Sequence, residues 1–272
     1  MLLLIKYTLL YGIVLMLVAL GGMFSEHSGV INIALEGIMV IGGLGGVLTV
    51  AMLQGTVPAW LLVALAIFVA ALSGMVYALL LAFASINLKA DQTIGGTALN
   101  MLATALAVIL AKMYNGSTSS KVSYTNNAFL FKIGGLDLSV FIPLGIVLLI
   151  VSYIVMYKTR FGLRLRACGE HPQAADSVGI NVYKMRYAGV LISGVLGGIG
   201  GLAYTVAAGS GFSSDVGCYG FLALAVMIFG NWKPLPILGS AVFFALFKVI
   251  AAYNSSLAFL PKIGRASCGE RV

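Results

Sequence analysis

Charged side chains are scarce in this sequence, at 9% of 272 residues, where soluble domains carry about 25%. A soluble fold of this length could not cover its surface with so few, whereas a bilayer accepts side chains that are apolar all round. The shortage excludes a soluble globular enzyme, and a hydrophobic content of 61% with a mean hydropathy of +1.06 points the same way. Histidine is limited to His27 and His171. Cysteine is limited to Cys168, Cys218 and Cys268, which make neither an even disulfide framework nor a metal-ligand spacing. Also missing are G-x-x-x-x-G-K-[ST], H-E-x-x-H and G-x-S-x-G, so phosphate-cradling loop, zinc-protease helix and nucleophile elbow are all absent. No catalytic cluster, metal or cofactor is expected.

Long apolar runs are plentiful. A spanning helix needs about 20 mostly apolar residues, and the sequence offers them near 7–24, 30–53, about 59–85, 94–113, 138–157, 187–208 and 235–253, with a shorter run ending at Gly230. The expected fold class is all-α, a polytopic transmembrane helical bundle of seven or eight spans. No charge falls between Glu36 and Lys89, a stretch long enough to conceal a broken helix. Met1–Lys6 and the run after it look like a signal peptide, but so many further spans follow that they read as a retained first helix. The segment 114–137 reads as a loop. Gly194/Gly198 and Gly197/Gly201 form overlapping small-xxx-small pairs, the pattern that lets helices approach closely in lipid.

The formal net charge is +8, yet the basic residues form no nucleic-acid stripe. Lys158, Arg160, Arg164, Arg166, Lys184 and Arg186 fall together in one inter-helical segment, the mark of a cytoplasmic loop. On that orientation the 114–137 loop is outside and the Lys89/Asp91 turn inside. Five simple spans put the N-terminus outside, and a re-entrant element before residue 90 would reverse it. Within the loop, Pro172 suits a first helical position and Gly179 the residue just past a helix end, so a helix of about two turns lies between them. Its Ala174 and Ala175 are small enough for another surface to approach.

Among polar residues in apolar spans, Glu36 is the most informative. An intramembrane carboxylate normally faces the bundle interior or water, and Asn32 lies one turn earlier on the same face. Both, with Asn100, are candidates for a translocation path or its inner mouth. The competing structural readings are a Glu36 paired with backbone or a basic group, and an Asn100 that hydrogen-bonds between helices. Tyr204 and Phe212 are possible base-stacking groups, although interfacial belts account for most of the aromatics.

The run Gly162-Leu163-Arg164-Leu165-Arg166-Ala167-Cys168-Gly169-Glu170, then Pro172-x-Ala174-Ala175 and Gly179-Ile180, resembles the coupling-helix segment of ABC-importer permeases of the branched-chain amino acid, simple-sugar and nucleoside branch. Gly29–Met39 resembles the signature of the sugar/nucleoside subgroup, and Gly95–Asn100 and Leu222–Gly230 also fit. The likeness covers nearly all of residues 20–250. It implies a type II importer fold and the permease subunit of an ATP-driven importer for nucleosides or simple sugars. It further implies ATPase coupling through Gly162, Arg164, Arg166, Gly169, Glu170, Pro172, Ala174, Ala175 and Gly179. The partners implied are a cytoplasmic ATP-binding subunit, a second homologous permease, an extracytoplasmic solute-binding protein and a small polar solute. Nucleic acid is not among them, and the location is multi-pass in the plasma (inner) membrane. The alternative is a stand-alone secondary transporter or channel. The permease unit is expected over residues 1–262, with 158–186 as its cytoplasmic coupling loop. Residues 263–272 resemble the translation of a sequencing-adapter read and are expected to be a non-native tail, the native chain continuing differently.

Overall fold

A computed structural model describes residues 2–116, 119–124, 126–133, 136–209 and 211–254; the suspected tail at 263–272 lies outside them. Ten α-helices account for most of the described chain: α1 (Leu2–His27), α2 (Leu35–Leu53), α3 (Ala59–Ala82), α4 (Gln92–Tyr114), α5 (Phe141–Lys158), α6 (Arg160–Glu170), α7 (Pro172–Ser177), α8 (Val182–Ala208), α9 (Tyr219–Phe229) and α10 (Pro234–Asn254). Seven of them are long and apolar enough to cross a membrane, and α9 is a shorter apolar helix. Among the described residues the seven-or-eight count is therefore seven full spans and one half-span.

Helix α8 lies at the centre, and its glycines explain why. A Cβ at Gly198 would collide with the Ala70 carbonyl of α3, and one at Gly201 with the Met39 carbonyl of α2. On another face Gly200 meets Val18 of α1. Three helices thus approach one backbone closely, which in lipid replaces the hydrophobic drive available in water.

Helix ends carry their own chemistry. Asp91 caps α4 by accepting from the N–H groups of Thr93 (2.8 Å) and Ile94 (3.0 Å), satisfying donors that the first turn leaves free. A π-helical turn at Phe83–Asn87 extends α3. The 114–137 segment differs from the loop expected. It holds a 3-10 turn at Asn126–Phe129 and most of an antiparallel hairpin, β1 (Leu130–Ile133) with β2 (Leu136–Ser139), paired Leu130 to Ser139. Val122 also bridges Phe212 in the break after α8, with N–H to carbonyl bonds of 3.2 and 2.9 Å. Phe212 is buried there and unavailable for base stacking.

Candidate functional site

Two helix starts meet inside the bundle. The chain leaves α1 at His27, runs through 28–34 without regular helix, and begins α2 beside Gly22 and Gly197, which both contact Leu35. Gly22 lies five residues before the end of α1, so α2 starts about 8 Å in from that end. The chain leaving α8 turns at Gly209 (φ +67°), returns through 211–218 and starts α9 after two left-handed residues, Gly217 (φ +62°) and Cys218 (φ +60°). Glu36, in the first turn of α2, meets that start. Its carboxylate accepts from the backbone N–H groups of Cys218 (2.9 Å), Gly220 (2.6 Å) and Phe221 (3.3 Å). Charge and helix dipole agree in sign here, because a helix N-terminus carries partial positive charge. Gly220 is required by this approach, since a Cβ there would press on Glu36 itself.

Polar side chains tie the re-entrant 28–37 segment in place. Asn100 of α4 accepts from the Gly37 N–H (2.8 Å) and donates to the Ile33 carbonyl (3.0 Å). Gln92 accepts from the Ile31 N–H (2.8 Å). Asn32 is fully buried and donates to the Ser193 hydroxyl of α8 (2.8 Å), while its Oδ1 has no hydrogen-bond partner among the described residues. Both expected structural uses are observed: Glu36 bonds backbone, and Asn100 joins helices. Beside this knot a cavity of about 290 Å³ is lined by Glu36, Thr97, Asn100, Thr104, Asp215 and Phe221, among others. The structure thus brings Glu36 and Asn100 to one cavity wall and leaves Asn32 behind it.

The basic segment forms two helices where the sequence announced one. Thr159 caps α6 by accepting from the Gly162 N–H (3.3 Å), and Gly162 lets α6 fold back on the end of α5, where a Cβ would strike the Val155 and Met156 carbonyls. Gly162, Leu165 and Cys168 form the buried face of α6, while Arg164 and Glu170 are exposed. Burial pushes the Cys168 thiol above its ordinary pKa, with Arg186 pulling it partly back, so it packs as a small apolar group. The Arg166 guanidinium lies 4.9 Å from the Tyr157 ring centre. Gly169 abuts the His27 carbonyl at the end of α1.

Pro172 occupies the first turn of α7, as expected. Gly179 (φ +82°) closes it, with Gly179 N–H to Asp176 O (2.9 Å) and Ile180 N–H to Ala175 O (3.1 Å), a Schellman ending. Ala174 faces outward, but Ala175 is buried within the bundle. Of the alanine pair, one is placed for contact and the other holds the helix down. Val178 and Leu163, exposed by 73% and 64%, add apolar area at this end.

Sequence reading missed Gln92, Ser193 and the pairing of Trp232 with Glu26 and His27. The Trp232 indole N–H donates to Glu26, and the Trp232 carbonyl accepts from His27 Nε2 (3.1 Å). These contacts span more than 160 residues, 61 in the case of Gln92, and no local pattern marks them.

Comparison with known proteins places these features in company. A family model described as branched-chain amino acid transport system / permease component matches residues 4–261. The nucleoside ABC transporter permease protein NupC of Lactococcus lactis is 41% identical over 269 residues, 94% of this chain and 84% of that one. The guanosine ABC transporter permease protein NupQ of Bacillus subtilis is 40% identical over 266 residues, 92% of this chain and 82% of that one.

Proposed function

The chain belongs to the branched-chain amino acid transport system / permease component family, and from that premise we propose that it is the membrane-spanning subunit of an ATP-driven importer of nucleosides. It would work with a separate ATP-binding subunit, a second homologous permease and an extracytoplasmic binding protein. The segment 158–186 is its cytoplasmic coupling loop, offering Ala174, Val178 and Arg164 to the ATPase. Gly162, Gly169, Ala175 and Gly179 let α6 and α7 fold and seat, Pro172 starts α7, and Arg166 and Glu170 line a cavity between α6, the end of α1 and Trp232.

One observation carries the path through the molecule: the meeting of α2 and α9 at Glu36, beside a cavity with hydroxyl, amide and carboxylate groups and one aromatic ring. Transporters place solute sites at such broken helices because the interrupted backbone and helix ends supply polar groups inside the membrane. Thr97, Thr104 and Asp215 suit ribose hydroxyls, and Phe221 suits a base. The 40% and 41% identities to a guanosine and a nucleoside permease favour the same solute class.

Uptake of radiolabelled guanosine by cells expressing this chain with its partner subunits tests the reading. Unlabelled nucleosides should compete, and free ribose or glucose should not. Competition by glucose alone would move the assignment to a sugar importer, and uptake that persists without any ATPase subunit would favour a stand-alone transporter.

A further inference from the structure

Helix α9 joins the basic end of the bundle to the cavity, and both of its ends are held by named contacts. At its start lie the three N–H bonds to Glu36. There Tyr219 also packs against Tyr204 and Tyr11, with ring centres 4.7 and 5.5 Å away, so the tip is gripped on two sides. The foot ends in two consecutive left-handed residues, Asn231 (φ +49°) and Trp232 (φ +51°), a backbone conformation that non-glycine residues hold only where the surroundings fix it. The surroundings here are Glu26 and His27: one accepts the indole N–H and the other donates to the Trp232 carbonyl. Both belong to the last turn of α1. The His27 carbonyl is in turn the surface on which Gly169 of α6 sits, with no room for a Cβ between them.

A continuous run of contacts therefore leads from α6, through the end of α1 and Trp232, along α9 to its tip. A helix of 11 residues is about 16 Å long and transmits displacement along its axis without a joint. We propose that α9 is the rod that carries movement of the coupling loop to the cavity, and that Trp232 is the positioning residue that fastens its foot. The proposal rests on the importer reading and adds the element that moves and the side chain that drives it. Displacement of α6 shifts the end of α1, Trp232 follows Glu26 and His27, and the tip of α9 changes its seat against Glu36. Access to the cavity changes with it.

Cys218, at the α9 tip and part of the cavity wall, is a native probe. In the full complex carrying Cys168→Ala and Cys268→Ser, the rate of Cys218 modification by a charged methanethiosulfonate is measured with and without ATP and vanadate. The parent complex should show a difference of about fivefold or more, the size of an ordinary coupling between sites. Trp232→Phe, which keeps a ring but loses the indole N–H, and Glu26→Ala should bring that ratio towards one. Glu26→Gln, which keeps an acceptor, should restore most of it. ATP hydrolysis by the assembled complex should continue in all three variants, separating lost transmission from lost assembly. If Trp232→Phe does not assemble, the Glu26 pair carries the test alone. A parental ratio in both Trp232→Phe and Glu26→Ala overturns the rod and leaves the importer standing. No ATP-dependent change at Cys218 in a parent complex that still shows ATPase-dependent uptake overturns the rod and leaves the importer standing, whereas uptake that needs no ATPase subunit overturns the importer reading and the rod with it.

Discussion

A carboxylate inside hydrocarbon costs about 2.5–3.5 kcal/mol on insertion scales, and Glu36 offsets that with three backbone N–H groups at the start of α9. Gly220 among them is buried and its N–H relies on that carboxylate in turn, so the dependence runs both ways. Hydrogen bonds to charged groups contribute about 1.5–3 kcal/mol each, and removing one partner leaves the other to bear its desolvation. Glu36→Ala should therefore destabilise the protein by about 3 kcal/mol or more, whereas Glu36→Gln, which keeps one acceptor oxygen, should cost about half that. Thermal unfolding in detergent gives the order of the two, and uptake should fall in the same order. Equal stability of the two variants would show that the N–H groups find water when the carboxylate is gone. What the sequence disclosed at this scale was that Glu36 needs a partner. It could not disclose that the partner is a helix start about 180 residues away, because the return of the chain after α8 is set by tertiary packing.

At the scale of elements, small residues on α8 decide how near α2 and α3 come. Gly198 faces the Ala70 carbonyl directly, while a Cβ at Gly239 of α10 would meet nothing within 4 Å. Overpacking a tight contact costs about 1–3 kcal/mol, so Gly198→Ala should lower the melting temperature in detergent. Gly239→Ala should leave it unchanged or raise it, since alanine is the better helix former by about 0.8–1 kcal/mol. A neutral Gly198→Ala would mean that α3 can withdraw from α8 without penalty. The same elements show what was legible. Spans followed from apolar length, α7 from Pro172 and Gly179, and close packing from the paired glycines. The signal of helix α6, a capping Thr159 and the spacing of Gly162, Leu165 and Cys168, is overlaid by the basic residues between them. Helix α9 was legible as a shorter apolar run ending at Gly230, but its seat against Glu36, like the hairpin, had no comparable signal, because each is defined by what it packs against.

For the whole molecule, charge and parity together predict an orientation. All four arginines of the described residues, Arg160, Arg164, Arg166 and Arg186, lie at the end that also carries Lys89 and Lys233, while the opposite end carries lysines alone. Positive loops stay in the cytoplasm, and five candidate spans precede the basic segment, so the start of α1 is expected to face outward. The re-entrant stretch at 28–34 was the feature that would have reversed this count. It does not, because the chain enters and leaves by the same side before α2 completes its crossing. Single cysteines placed at Thr56 and Lys121, both exposed on connections at one end, should react with a membrane-impermeant maleimide in intact cells, in a background where Cys168, Cys218 and Cys268 are replaced. Cysteines at Leu163 and Ser177, exposed at the other end, should react only after permeabilisation. The reverse pattern would put α6 and α7 outside, beyond reach of any ATP-hydrolysing partner, and neither the coupling loop nor the α9 rod could then operate.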